Sequence, residues 1–477
     1  MTRIAYLSYS TAEYDGRTQR MARSAIEAGY DVVVYARWQK GLPFEEQAAG
    51  YRIVRVPAIP ELAIPGRRGN ARRRVGSARR RQAALEAAAA EAAAAEADAS
   101  LATTSTPRPP KPAVDASTPP GRDGWIPDRL RGTPVGRPLR AIKGVVHGVR
   151  KAVADPLLLF PLRPMGWAAA LDEVAEPADI WHGMWAGSLP ALERQRGRLG
   201  GRTVYDSRDV YMRSRGFERM GPWKAPFAAL ERHWATSADA VLTVNDAYAD
   251  LLAEQFHIER PPVVRNTPNR YTRPDPPPDL IRRALDLGPE TRVVLYQGGL
   301  LTERGIEQGM DAILDVPDAV LAVMGMGSSR DALRERGSAA RYRDKVRFLD
   351  PVTPDELLDW TASSDVMLMA IQPTSVNHRY TTPQKLWEAL AAGVPVVASD
   401  LPGMADVVNE IGAGALVDPT DPADIARGIR AVLDAPPDER AAMRERTWRG
   451  GQERYNWESQ VDTLFALYRG LLGDAQA

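Results

Sequence analysis

Cysteine is absent from the 477 residues, which removes disulfides, thiolate nucleophiles and cysteine-based metal sites together. An excess of either charge is also lacking: 62 Lys and Arg against 61 Asp and Glu leave a net +1, which argues against nucleic acid as a partner of the whole chain. No run approaches the roughly 18 apolar residues of a membrane span. The start, MTRIAYLSYS, reads as a strand rather than a charged leader with a long apolar core, so the chain is expected to be cytoplasmic. The loop after that strand, YSTAEYDGR, lacks the G-x-G-x-x-G of a dinucleotide fold, which weakens a dehydrogenase reading. No carboxylate cluster suited to Mg²⁺ or Mn²⁺ stands out, and no cofactor is expected. Against these absences, 44% hydrophobic residues give material for two or more domains with their own cores.

Strand and helix patterns alternate along most of the chain. RIAYLS (3–8), a helix ending at Gly29 and DVVVYAR form a strand, helix, strand unit, which implies a parallel sheet and an α/β fold; Gly16 lets the backbone turn closely into the helix. ADIWHG (178–183), TVYDSRD (203–209) and ADAVLTVN (238–245) continue the strands. His182, Asp206, Arg208, Asp209 and Asn245 collect at their carboxyl ends, where open α/β sheets bind ligands. After a proline-rich linker at 273–279 the pattern restarts: TRVVLYQGG (291–299), AVLAVMGMG (319–327), KVRFLD (345–350) and DVMLMAI (365–371). Gly298, Gly299 and Gly327 end two of these strands and allow a close backbone approach. The expected domains are 1–272, then 273–455, then a terminal helix at 456–477 that returns to the first domain.

Two segments break the alternation. From about 66 to 136 an arginine cluster, an alanine-rich stretch and a proline-rich stretch follow one another; their apolar content is too small to offset ordering entropy, so a disordered insertion is expected. Residues 139–160 read as a basic amphipathic helix, with Ile142, Val145, Val146, Val149 and Val153 on one side and Arg140, Lys143, Arg150 and Lys151 elsewhere. Such a helix fits an anionic membrane surface; an ordinary domain helix has the same pattern.

The stretch NHRYTTPQKLWEALAAGVPVVASD (377–400) carries the most chemistry. Pro383 suits the first turn of a helix that Gly393 stops. The free N–H groups and partial positive charge of that helix end attract an anion. Lys385 stands beside it, and Glu388 follows about one turn deeper on the same face. A phosphate at the tip, a cation beside it and a carboxylate behind match a sugar nucleotide, with Glu388 on ribose hydroxyls. Arg304 would add charge at the mouth of another helix. A surface helix with solvated charges has the same spacing.

Taken in order, YQGGLLTERGIE, VMGMGS, VRFLDPV, SSDVMLMAI and TPQKLWEALAAGVPVVASD resemble the donor half of the retaining glycosyltransferases of family 4. DGRTQRMARSAIEAGYDVVVYAR, DIWHGMW and VYDSRD are similar, more loosely, to its acceptor half. The resemblance implies two Rossmann-like domains facing across a cleft, the GT-B architecture, and metal-independent transfer of a sugar from a nucleoside diphosphate sugar, a UDP- or GDP-sugar, to a hydroxyl. It implies that Arg304 and Lys385 neutralise the donor diphosphate, that Glu388 holds the ribose and that His182 faces the sugar. Where many members carry a further glutamate, this chain has Tyr380; Asn377, His378, Arg379 and Thr382 are the neighbouring candidates. A lipid-linked glycan, a polysaccharide intermediate or a small molecule would each fit as acceptor. A non-catalytic nucleotide-sugar-binding module and a sugar-nucleotide epimerase are the competing readings.

Overall fold

The strand segments are almost unbroken apolar runs, such as VVVY, VVLY and VMLM, with no polar alternation. Strands of this kind are buried on both faces, as in a parallel sheet covered by helices. The computed structural model describes residues 1–13, 15–60, 157–218 and 220–473 and has this architecture twice. The first sheet runs in the order β3-β4-β2-β1-β5-β6-β7, with β1 Arg3–Ser8, β2 Asp31–Arg37, β3 Glu45–Ala48, β4 Tyr51–Val56, β5 Ile180–Met184, β6 Arg202–Ser207 and β7 Ala240–Thr243. All pairings in it are parallel except β3 with β4. The second runs β10-β9-β8-β11-β12-β13, with β8 Arg292–Gln297, β9 Ala319–Met324, β10 Val346–Leu349, β11 Val366–Met369, β12 Val396–Ser399 and β13 Gly414–Val417; its pairings are all parallel.

In both sheets the order reverses beside the first strand of the half, between β1 and β5 and between β8 and β11. At such a point the connections leave in opposite directions and open a crevice at the carboxyl ends. The hairpin β3–β4 was not legible in the sequence, because EEQA is an exposed polar edge strand with no hydrophobic pattern.

The last helix, Trp457–Leu472, lies on the first sheet, where Leu464 and Tyr468 are buried with Ile4 and Tyr6. The Trp457 indole N–H donates to Ser24 Oγ at 2.8 Å. The chain therefore passes between the two halves twice, and the passages are bonded to each other. The Trp457 backbone N–H donates to the Pro268 carbonyl at 2.8 Å, and the Gln452 amide donates to the Tyr271 carbonyl at 2.9 Å.

The expected insertion at 66–136 and most of the amphipathic segment 139–160 lie outside the described residues. At the end of that segment, Phe160 is fully buried among the rings of Tyr211, Phe217, Phe227 and Trp234, so this position belongs to the core rather than to a surface. Among the described residues no helix is long and apolar enough to cross a membrane.

Candidate functional site

The helix Gln384–Ala392 is the centre of the second half. Pro383 precedes it with extended backbone, one residue outside the first turn, and Gly393 ends it in the left-handed conformation at φ +67°. From Lys385 to Ala392 every residue is buried, so the reading as a surface helix with solvated charges does not hold. Lys385 is 9% and Glu388 6% exposed, and charges at that depth require partners or a function.

Glu388 has a partner. Gln297, the last residue of β8, donates to its carboxylate at 2.6 Å, and Thr361 donates to the Gln297 carbonyl at 2.9 Å. Burial pushes the Glu388 carboxyl up, against the Gln297 hydrogen bond and the nearby Lys385 charge. The Lys385 ammonium, by contrast, has no hydrogen-bond partner among the described residues. It sits 3.6 Å from the centre of the Tyr296 ring, a cation–π contact that offsets part of its desolvation. Burial, reinforced by the Arg304 charge and opposed by Glu388, brings its pKa down to about 7.

Lys385, Glu388 and Arg304 line one cavity of about 510 Å³ with Tyr296, Gln297, Gly298, Gly299, Leu357 and Thr382. Gly298 turns at φ +116°, and a β-carbon there would lie 3.7 Å from the Lys385 ammonium; backbone conformation, rather than space, is what requires glycine. The opposite wall comes from the first half: Arg208, Asp209, Val244 and Asn266. Thr382 accepts a hydrogen bond from Asn245 across the cleft at 3.1 Å.

A second cavity, of about 640 Å³, opens at the carboxyl ends of β1, β2 and β5 and is lined by Ser8, Tyr9, Ser10, Gly16, Arg37, Met184 and Trp185, among others. Arg208, Asp209, Asn266 and Gln384 belong to both cavities. Arg208 is fixed by Asp15 at 2.7 Å. Asp15 also caps the helix Gly16–Glu27 by accepting from the Thr18 N–H at 3.1 Å. Burial works against the Asp15 charge, but Arg208 and Thr18 hold the carboxyl down to about 2.

Several expected site residues lie elsewhere. His182 does not face the cleft: it is fully buried, with the Tyr468 hydroxyl 2.7 Å from Nδ1 and the Tyr6 ring 5.4 Å away. It points under the returning helix, and the residue that reaches the strand end is Met184, two positions on. Asp206 is fully buried as well, paired with Arg17 at 2.7 and 3.1 Å, so neither of its oxygens is free for a substrate. Gly327 lies outside the cavity; a β-carbon there would meet the Leu300 carbonyl at 2.2 Å, so its role is close packing of two strand-end loops.

Asn377 is taken up between the halves. Its carbonyl oxygen Oδ1 accepts from the Val210 N–H at 3.0 Å, its amide donates to Asp209 Oδ1 at 3.0 Å, and the Tyr248 hydroxyl donates to its backbone carbonyl at 2.8 Å. His378 shares a hydrogen bond with Thr374 at 3.0 Å. Arg379 is exposed, and neither it nor His378 lines the cavity. Residues absent from the sequence-based candidates but present in the walls include Tyr296, Gln297 and Asn266, whereas Asp209, one of the strand-end polar residues, is brought into them. Tyr296 and Gln297 directly precede the Gly298-Gly299 pair, the one signal that could have selected them.

Comparison with known proteins sharpens this picture for the second half. Residues 279–449 match the family model of the group 1 glycosyl transferases. A D-inositol 3-phosphate glycosyltransferase of Corynebacterium urealyticum is 31% identical over 201 residues, 40% of this chain and 46% of its own; the chain spans about half the length of the curated relatives it matches. The solved structure of a sucrose-phosphate synthase from Thermosynechococcus elongatus superposes with a TM-score of 0.66 at 16% identity, covering 99% of each chain. Anabaena HepE in complex with UDP and glucose gives 0.59 at 13% identity, covering 99% of this chain and 100% of its own. The shared feature is the fold: two Rossmann-like domains facing across a cleft, the GT-B architecture.

Proposed function

We propose that the protein is a retaining, family 4-like glycosyltransferase that moves a sugar from a nucleoside diphosphate sugar to a hydroxyl acceptor without a metal ion. The observation that carries this reading is Lys385: a buried ammonium with no hydrogen-bond partner among the described residues, in one cavity with Arg304 and with the start of the helix Gln384–Ala392. A buried cation of this kind is destabilising until an anion reaches it. A diphosphate bonded to Lys385, Arg304 and the helix N–H groups would place its ribose toward Glu388, whose carboxylate accepts from hydroxyls. The group 1 domain at 279–449 and the UDP-bound neighbour support the same donor class.

In the reaction the acceptor oxygen bonds to the anomeric carbon and its hydroxyl proton passes to the departing diphosphate, while the bond from that carbon to the diphosphate oxygen breaks and its electron pair leaves with the diphosphate. Negative charge grows on the leaving group. Cations and N–H dipoles already fixed at that point favour the transition state over the ground state. With retention, the acceptor approaches on the face the diphosphate leaves. The cavity over β1, β2 and β5 is where the acceptor would wait.

Calorimetry with nucleoside diphosphate and with free nucleoside tests the assignment. Arg304→Ala and Lys385→Ala each lose about 1.5–3 kcal/mol for the diphosphate, the range of a charged hydrogen bond, and little for the nucleoside. Glu388→Gln weakens both ligands. Diphosphate binding by Lys385→Ala as tight as the parent's would overturn the reading. Turnover should persist in EDTA. Contact with an anionic membrane through 139–160 belongs to the same proposal where the acceptor is lipid-linked; binding to vesicles containing phosphatidylglycerol that weakens with salt is the expected result, and no binding at low salt removes that part.

A further inference from the structure

A sugar attached to a diphosphate at Lys385 and Arg304 can reach the cavity of the first half only past the residues that belong to both. These are Arg208, Asp209, Asn266 and Gln384. Three of them already have side-chain partners from the same wall or its neighbour. Arg208 is bonded to Asp15 at 2.7 Å, Asn266 accepts from Arg20 at 2.5 Å, and the Gln384 carbonyl accepts from the Asn266 amide at 3.4 Å. Asp209 is the one carboxylate at this junction. One of its oxygens, Oδ1, accepts from the Asn377 amide at 3.0 Å, no protein hydrogen bond among the described residues takes up Oδ2, and the residue lines both cavities.

Resting on the donor reading above, we propose that Asp209 contacts the transferred sugar: it accepts hydrogen bonds from the sugar's hydroxyls and so sets which sugar is taken. The chemistry fits the position. Sugar hydroxyls need strong acceptors to be oriented, and a carboxylate is the strongest the side chains offer. A hexose that loses its diphosphate gains positive charge at the ring, which a fixed carboxylate stabilises.

The segment 375–382, which includes the short helix Val376–Arg379, carries no carboxylate of its own. Tyr380 packs against the core of the first half, while Asn377, three residues earlier, crosses the cleft and holds Asp209 by its amide and the Val210 N–H by its carbonyl. The loop that lacks the acid thus positions one supplied from the other domain. Because the bond between Asn377 and Asp209 spans the halves, the sugar contact is complete only when they are closed on each other.

Titration calorimetry on the full chain with UDP, GDP, UDP-glucose, UDP-galactose, UDP-N-acetylglucosamine and GDP-mannose tests this. In Asp209→Asn, the preference among sugar nucleotides that share the preferred base should collapse by tenfold or more, with the free diphosphate bound within twofold of the parent. Asn377→Ala keeps the carboxylate but loosens its support, so it should weaken every sugar nucleotide while shifting their ranking less than Asp209→Asn does. An unchanged preference in Asp209→Asn, or an equal loss for diphosphate and sugar nucleotide, overturns the assignment of Asp209 alone. Failure of both UDP and GDP to bind the parent overturns the donor reading and this inference with it.

Discussion

The Lys385 ammonium rests 3.6 Å from the centre of the Tyr296 ring and has no oxygen acceptor among the described residues. Burial and the Arg304 charge bring its pKa down to about 7 from the ordinary 10.5. The unfolded chain therefore holds this proton more tightly than the folded one. The resulting instability is complete below about 7 and fades as pH rises toward 10.5. Lys385→Met should raise the thermal midpoint of the ligand-free protein at pH 6.5, raise it less at pH 9, and weaken diphosphate binding at both. A midpoint shift independent of pH would contradict the depressed pKa.

A diphosphate beside Lys385 restores the charged form, so binding is linked to proton uptake. At pH 8 the parent should take up a fraction of a proton, up to about one per site. Calorimetry in two buffers of different ionisation enthalpy measures it directly. Lys385→Met should lose the uptake.

His182 is expected to matter for stability rather than turnover. Its ring is closed in by Tyr6 and Tyr468, and burial, against the pull of Asp206, keeps its pKa below the ordinary 6.5. The folded protein thus resists protonation there, and stability falls as pH drops through the range where the unfolded histidine charges. Tyr468→Phe leaves Nδ1 without its 2.7 Å partner and should cost about 1–3 kcal/mol in chemical denaturation, with nucleoside diphosphate affinity unchanged. Lost affinity in that variant would return His182 to the binding site.

Glu231 gives the opposite sign of pH dependence. It is fully buried, accepts from the Gln255 amide at 3.1 Å, and has no partner for its other oxygen among the described residues. Burial raises its pKa to about 8 from 4.5, with Gln255 opposing. The unfolded carboxyl ionises first, so the folded state loses stability as pH rises from 4.5 and carries the whole penalty above about 8. Glu231→Gln should leave the midpoint nearly unchanged at pH 4.5 and raise it at pH 8.5. An equal shift at both would mean that packing, not ionisation, governs the site.

The sequence was most informative where function is local. Pro383, Lys385, Glu388 and Gly393 fall within about three helical turns, so helix geometry alone brings the two charges to one face. The alternation of apolar strands with helices was legible for the same reason. What escaped was long-range. Strand alternation places His182 on one side of β5 but says nothing of what covers that side, and the cover is a helix 286 residues later. Asn377 reads as a polar loop residue until Asp209, 168 positions earlier, is brought beside it. Asp209 stood among the strand-end polar residues without any mark to separate it from Asp206. The difference is that Asp206 faces inward to Arg17, while Asp209 lies past the end of β6.

The paired passages of the chain between its halves have a mechanical meaning. With the Trp457 N–H bonded to the Pro268 carbonyl and Gln452 to the Tyr271 carbonyl, the two crossings lie together like the knuckles of a door hinge. Relative motion of the leaves is then mainly a swing about that line, with sliding and twisting resisted. Bonds that join the two leaves, such as that of Asn377 with Asp209, are the ones such a swing would part. Under the proposed reaction, a swing of this kind would let product leave, and the paired crossings would guide the leaves back to the same register.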